Sequence, residues 1–185
     1  DAGSAFLSGA SGDYLVLLNN DTVVTRGWLL TMLRHFQADP TLGLLGPATN
    51  HIGNESKVPV HYEALEQMPA AAQAWTLAHM GQTYTMRTLA FFCVMMPRSV
   101  YEQVGPMDER FGRGFFEDDD YCRRIEQLGL HMAGHLQDII NAFHDVALLG
   151  VGFAAACAGR LGLTISAPGN SFSSACTVGS ARARS

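Results

Sequence analysis

The sequence lacks several features that would point directly to a function. Its four cysteines are widely spaced without a C-x-x-C pair, so neither a zinc site nor a disulfide framework is indicated. No run reaches the roughly 18 apolar residues of a membrane span. The 12 Lys and Arg residues are outnumbered by 17 Asp and Glu and form no basic stripe. We therefore expect free thiols in a reducing cytoplasm, no nucleic acid partner and no transmembrane span.

The 185 residues, 48% of them hydrophobic, are enough for one domain with a sizeable core. The apolar run YLVLL at 14–18 predicts a strand that is buried on both faces. Helical spacing from Trp28 to Phe36 predicts a helix capped by Thr25, and LGLLG at 42–46 predicts another strand. A strand, a crossover helix and a strand are typical of an α/β fold with a mostly parallel sheet and flanking helices.

The following part of the chain adds further elements of the same kind. The pattern predicts a helix over 63–78, a strand over 89–96, and a short helix that Ser99 caps. A helix over 117–128 should end at Gly129, a residue that commonly follows a helix.

The stretch GFFEDDDYCRR, residues 114–124, places four acids in a row in a chain that is only 16% charged. Like charges about 5 Å apart repel by roughly 0.8 kcal/mol in water and by roughly 3 kcal/mol at the effective dielectric of a partly buried site. One interpretation is a helix start, where the free N–H groups and the macrodipole favour acids. The other is a site where a carboxylate binds a divalent metal or takes a proton from a substrate.

A second polar cluster, Asn19, Asn20 and Asp21, directly follows the first predicted strand. Ligands of open α/β sheets bind at the carboxyl ends of strands, and Mg²⁺ or Mn²⁺ prefers oxygen ligands. The alternative is ordinary turn chemistry, in which Asn and Asp bond their own backbone. His144 is a lone histidine that gains interest only if it lies near such carboxylates.

Four segments resemble the family 2 glycosyltransferases, the inverting GT-A group that includes rhamnosyltransferase-like and galactofuranosyltransferase-like enzymes. They are, in order, GDYLVLLNNDTVVTRGWL, GPATNHIGNE, FFCVMMPRSVYEQVGPMDERFG and GFFEDDDYCRR. The resemblance implies a partial GT-A sheet and transfer of a sugar from a UDP- or dTDP-sugar to a saccharide or glycoconjugate in polysaccharide or cell wall synthesis.

The resemblance also implies a role for each matching residue. Asp21 matches the last acid of the D-x-D motif, which holds Mg²⁺ or Mn²⁺ on the diphosphate, while Asn19 stands where the first Asp is common. Asn19, Asn20 and Asp21 would then contact the nucleotide sugar. His144 lies about where family members place a metal-binding His.

The acidic stretch matches the family's catalytic segment. Glu117 and Asp118 match the acidic pair before the helix, which makes them the predicted catalytic residues, with Asp118 as the general base. Asp120 and Arg124 match helix positions that fix the loop, so we expect a structural ion pair near the site.

The resemblance divides the chain into residues 1–145, the C-terminal portion of a GT-A domain, and 146–185, a low-complexity tail of unknown role. The family's N-terminal nucleotide-binding part would precede these motifs, so we expect no transfer by this chain alone. The expected location is the cytoplasm, with the inner face of the membrane as a further option. The alternatives are a non-catalytic remnant or binding module with the same fold and a Mg²⁺-dependent phosphate-processing enzyme.

Overall fold

The computed structural model describes residues 12–19, 22–50, 52–111, 116–139, 141–142 and 175–178. The strands are β1 (Tyr14–Leu18), β2 (Thr22–Val23), β3 (Leu42–Ala48), β4 (Thr83–Met86), β5 (Cys93–Pro97), β6 (His131–Ile139), β7 (Asn141–Ala142) and β8 (Ala175–Val178). The α-helices are α1 (Trp28–Ala38), α2 (Met68–Ala78), α3 (Arg98–Val104) and α4 (Glu117–Gln127), and short 3₁₀ turns span Leu65–Gln67 and Glu109–Phe111.

Six strands form one sheet in the order β4-β6-β3-β5-β1-β8, and β2 pairs with β7 in a separate ribbon. The α/β class is therefore confirmed, but the sheet is only partly parallel: β3 and β6 are the parallel neighbours, and the other neighbours within the six-stranded sheet are antiparallel. The predicted strand, helix, strand unit exists as β1, α1 and β3. Its two strands run in the same direction, and antiparallel β5 lies between them. The expectation of a mostly parallel sheet was therefore wrong. The apolar patterns of β1 and β3 are the same whether or not an antiparallel strand lies between them, so the sequence pattern could not predict β5 at this place.

Strand β8 comes from the tail to which the sequence assigned no role. It pairs antiparallel with β1, from Tyr14 opposite Val178 to Leu17 opposite Ala175. Because β5 bonds to the other side of β1, both edges of the apolar β1 strand are paired, which removes an exposed edge that could join another chain. The division of the chain near residue 145 stays a prediction.

The core lies on both faces of the sheet. Val16 and Leu18 pack towards α1, whereas Leu15 and Leu17 pack towards α3 and α4. This alternation explains why β1 reads as an uninterrupted apolar run and confirms the prediction that it is buried on both faces. Among the described residues, no helix is long and apolar enough to cross a membrane.

Two of the predicted helix caps are wrong. Helix α1 begins after Gly27, which has a φ of 91°, while the Thr25 hydroxyl is buried without a hydrogen-bond partner. Helix α3 begins one residue before Ser99, which therefore lies inside the helix. The expected end of α4 is confirmed, because Gly129 adopts the left-handed conformation with a φ of 75°.

Two neighbouring histidines, His35 half-buried and His135 fully buried, lie between α1 and β6. The rings of His35 and His135 lie 5.5 Å apart, and His135 is fully buried with no hydrogen-bond partner at either ring nitrogen. Burial lowers the pKa of both histidines, and for His135 burial together with the neighbouring His35 lowers the pKa to about 3. Along the same two elements, His131 lies 2.8 Å from Asp39, whose pKa is lowered to about 2, chiefly by hydrogen bonds from Thr41 and His131.

We expect this pair to make the fold sensitive to acid. The His135 imidazole, with a pKa of about 3, is neutral in the folded state, whereas unfolded histidine gains a proton below about pH 6.5. The free energy of unfolding should therefore fall as the pH decreases below that value, by up to about 2 kcal/mol for His135 between pH 7 and pH 5.

His135→Leu should flatten the pH dependence of the melting temperature over this interval. The control is His61→Gln on the exposed surface, which should keep the wild-type slope. An unchanged slope in His135→Leu would contradict this account.

Candidate active site

The start of α4 lies at the edge of the sheet where β3 and β6 end. Ile125, late in α4, lies against Gly43 near the start of β3. Cys122, about one helical turn before Ile125, contacts Leu89, and Leu89 lies against Gly46, which is farther along β3. Helix α4 therefore runs antiparallel to β3, and its N-terminus points towards the carboxyl ends of β3 and β6. This is the edge where ligands of α/β sheets bind.

The approach of α4 to the sheet depends on a missing side chain. A Cβ at Gly43 would lie 2.7 Å from Cγ2 of Ile125 and 2.9 Å from Cβ of Leu130, which is closer than carbon atoms can pack. A side chain at this position would push α4 away and shift the acidic residues at its start. The glycine therefore fixes where the candidate site lies.

Glu117 and Asp118 form the beginning of the first turn of α4, and both are half-buried. The backbone N–H of Asp119 donates to Oδ1 of Asp118 at 2.9 Å. Burial nevertheless dominates and raises the pKa of Asp118, with the Asp119 charge acting in the same direction. Oε2 of Glu117 is buried and has no hydrogen-bond partner within the described part of the chain. The first two acids of the stretch are thus both removed in part from water.

The side chain beneath this turn is neutral. The Cys122 thiol is fully buried and accepts a hydrogen bond from the Leu89 N–H at 3.4 Å. Burial, together with the charges of Asp118 and Asp119, raises the pKa of Cys122 to about 11. No thiolate therefore adds negative charge beneath the carboxylates.

Phe116 immediately precedes the acidic pair and has an unusual backbone. Its φ is 78°, and it is the one non-glycine residue with positive φ in the described ranges. A left-handed conformation costs roughly 1–2 kcal/mol for a residue with a side chain. The phenyl side chain is also 67% exposed.

Asp120 and Arg124 form the predicted ion pair, with 2.9 Å between Nε and Oδ2. Nη1 of Arg124 also donates to the carbonyl oxygens of Val104 and Pro106, at 3.1 and 2.9 Å. The Arg124 guanidinium therefore ties α4 to the turn that follows α3.

Tyr121 strengthens the same connection, although the sequence argument did not single it out. Its hydroxyl donates to the carbonyl of Gly105 at 3.1 Å, and Arg124 lies over its ring at 4.8 Å from the centroid. The only sequence signal was an aromatic residue at a core-facing helical position.

The described part of the predicted nucleotide and metal site is small. Asn19 follows β1, with its N–H bonded to the Phe92 carbonyl at 2.8 Å and its carbonyl accepting from the Thr22 hydroxyl at 2.7 Å. Asn20, Asp21 and His144 lie outside the described residues. Within the described ranges, no three His, Cys, Asp or Glu side chains are grouped so that they could hold a metal ion.

Strands β2 and β7 pair with each other next in sequence to the two predicted segments. Thr22, the residue after Asp21, pairs with Ala142, two residues before His144. The chain therefore enters β2 and leaves β7 at neighbouring points, even though the two segments are far apart in sequence.

The chain thus combines a mixed sheet of this order, helices on both faces and an acidic first turn of α4 towards the carboxyl ends of β3 and β6. The model of the glycosyltransferase-like family 2 matches residues 4–151, so the chain belongs to this family.

The chain is also similar to individual proteins. It is 30% identical over 141 residues to the pre-mycofactocin glycosyltransferases of two Mycobacterium tuberculosis strains, CDC 1551 / Oshkosh and ATCC 25618 / H37Rv. The match covers 75% of this chain and 28% of each relative's length. A crystal structure of GalNAc-T7 with UDP, GalNAc and Mn²⁺ has a TM-score of 0.55 and 13% identity, over 75% of this chain and 29% of that one. That likeness supports the fold.

We expect the Arg124 clamp to contribute measurably to stability. Arg124→Met keeps the apolar part of the side chain but leaves Asp120 and two backbone carbonyls without their charged donor. Hydrogen bonds to charged groups contribute about 1.5–3 kcal/mol, so the free energy of unfolding should fall by about that amount. The matched control is Arg123→Met, since Arg123 is the exposed neighbour on the same helix. Equal effects of the two substitutions in urea unfolding would refute a specific clamp.

Proposed function

We propose that the protein takes part in metal-dependent, inverting transfer of a sugar from a UDP- or dTDP-sugar to a saccharide or glycoconjugate acceptor. The observation that carries this proposal is the half-buried Glu117–Asp118 pair at the sheet edge, in a chain that belongs to a glycosyltransferase family. The GalNAc-T7 structure, which contains UDP and Mn²⁺, gives additional support. The chain spans 28% of the curated relatives' length, so the proposal concerns the whole protein.

Asp118 is the proposed general base. It takes the proton of the acceptor hydroxyl while that oxygen bonds to the anomeric carbon, and the bond to the diphosphate breaks with its electron pair on the leaving oxygen. A base is more effective when its pKa lies closer to the working pH, and burial raises the pKa of Asp118 in that direction. Glu117, the other member of the acidic pair, is proposed as the second catalytic residue, and its Oε2 is buried without a hydrogen-bond partner in the described part of the chain.

The proposed donor site lies at the end of β1. Asn19 and Asn20 contact the nucleotide sugar, and Asp21 and His144 hold Mg²⁺ or Mn²⁺. Carboxylate oxygen suits both ions, and Thr22, which follows Asp21 in the chain, pairs with Ala142, two residues before His144. The bound ion would supply positive charge for the departing diphosphate.

Replacing the proposed base should abolish most of the turnover. Asp118→Asn in the full-length gene product should lower kcat by about 10²-fold or more while leaving donor affinity unchanged, because the amide cannot take the proton. Turnover is measured with a panel of UDP- and dTDP-sugars and Mn²⁺.

Asp119→Asn is the matched control, since this half-buried acid lies in the same helical turn. It should retain most of the wild-type rate. Wild-type kcat/KM should decrease as the pH falls through a value above the ordinary Asp range, because the base must be unprotonated. Near wild-type turnover by Asp118→Asn would disprove the assignment.

Metal and nucleotide should bind cooperatively. Mg²⁺ and Mn²⁺ usually share their ligands with substrate phosphates, so the protein alone should bind either ion weakly. In calorimetry on the full-length product, Mn²⁺ should strengthen the binding of UDP or dTDP, and Asp21→Ala should abolish that effect. Persistence of the effect in the variant would mean that other residues hold the metal.

A further inference from the structure

Asn50 belongs to the segment GPATNHIGNE, to which the proposed function gives no role. It follows the end of β3 by two residues, so it lies at the carboxyl edge of the sheet, towards which the N-terminus of α4 also points. The backbone just before it is fixed, because the Thr49 N–H donates to the Ser56 carbonyl at 2.9 Å and the Thr49 carbonyl accepts from the Val58 N–H at 2.8 Å. Asn50 therefore has a defined place at the edge where α/β proteins bind ligands.

The carboxamide of Asn50 is held at one end only. Its Nδ2 donates to the Tyr62 hydroxyl at 3.1 Å, whereas its Oδ1 is buried and has no hydrogen-bond partner among the described residues. A buried amide oxygen without a partner destabilises a folded protein, so folding alone does not explain it. The side chain as a whole is half-buried, which places the carboxamide at the boundary between the interior and solvent.

A second asparagine of the same segment shows what a purely structural role looks like. Oδ1 of Asn54 accepts a hydrogen bond from the Ser56 N–H at 3.0 Å and thereby fixes the turn. Asn54 thus has its partner within the protein, whereas the oxygen of Asn50 lacks one.

The chemistry of this edge indicates which kind of group would complete Asn50. On α4, Oε2 of Glu117 is likewise buried without a partner in the described ranges. Amide and carboxylate oxygens are hydrogen-bond acceptors, so both need a donor from a ligand. The oxygens of an ionised diphosphate are acceptors too, whereas a sugar carries several hydroxyl donors. The edge therefore favours a sugar over a diphosphate as the group that meets Asn50.

We propose that Asn50 is a sugar-binding residue whose free carboxamide oxygen accepts a hydrogen bond from a hydroxyl of the substrate. This inference rests on the proposed glycosyl transfer. The hydroxyl belongs to the transferred sugar or to the acceptor sugar, which present the same chemistry. A site that hydrogen-bonds a substrate hydroxyl discriminates against an analogue that lacks it, so Asn50 would contribute to specificity.

The test compares two variants of the full-length gene product that both lose the bond between Asn50 and Tyr62. Asn50→Leu removes the carboxamide, whereas Tyr62→Phe removes only the hydroxyl that holds it. With the UDP- or dTDP-sugar of the panel that is turned over fastest, and Mn²⁺, Asn50→Leu should raise the KM of one sugar substrate about fivefold or more. Tyr62→Phe should have a smaller effect, because the carboxamide remains.

The substrate whose KM rises identifies the source of the hydroxyl. A higher KM for the nucleotide sugar, with unchanged affinity for free UDP or dTDP, assigns the transferred sugar. A higher KM for the acceptor assigns the acceptor sugar. Either result supports the proposal.

A thermal melt of the same variants separates this role from a structural one. Asn50→Leu should melt no lower than Tyr62→Phe, because leucine leaves no unpaired polar atom at position 50. The matched control is Asn54→Ala, which should lower the melting temperature and leave both KM values unchanged.

Two results would overturn the proposal: unchanged KM values for both sugar substrates in Asn50→Leu, or a melting temperature of Asn50→Leu well below that of Tyr62→Phe. The melting comparison needs no substrate. Wild type without turnover counts against the proposed function, whereas active wild type with fully active Asn50→Leu counts against Asn50 alone, so the two failures are distinct.

Discussion

The parallel pairing of β3 with β6 is the constraint on which the candidate site depends. It brings the carboxyl ends of both strands to one edge of the sheet, and Gly129 turns the chain from α4 directly into β6. Because the turn is short, α4 must run antiparallel to both strands and begin at that same edge. The missing side chain of Gly43 then sets how closely α4 approaches. The location of the acidic pair follows from backbone packing, before any catalytic requirement is considered.

The four consecutive acids are tolerated because different forces act on different members. Asp120 is paired with Arg124, and the free N–H groups of the first turn favour negative charge in general. Asp118 is the exception, since burial outweighs its hydrogen bond from Asp119 and raises its pKa. The two interpretations of this stretch, a helix start and a proton-accepting site, are therefore compatible: a helix start offsets most of the charge repulsion and leaves one carboxylate with a strengthened affinity for protons.

Much of the fold was predictable from apolar periodicity. The buried strand β1, the helices α1 and α4 and the end of α4 at Gly129 all follow from local pattern. The order of the strands in the sheet was not predictable. The apolar pattern of a strand such as β5 does not specify which strands pair with it or in which register. The caps expected at Thr25 and Ser99 also failed, since local capping competes with tertiary packing that a short motif does not encode. The positions of Glu117, Asp118, Asp120 and Arg124 came from resemblance, whereas the strain at Phe116 and the clamp through Tyr121 required coordinates.

Some residues occupy a backbone conformation or a degree of burial that their side chain disfavours. The surroundings of such a residue decide whether it affects stability or function. At 13% identity, the likeness to GalNAc-T7 shows that this architecture tolerates extensive change in sequence. A residue that is unfavourable in its local conformation or burial is therefore a place to look for strain or function. His135 is such a residue, but it is fully buried and so can affect only stability. Phe116 is strained and exposed at the start of α4, so packing of its side chain does not offset the strain of its backbone.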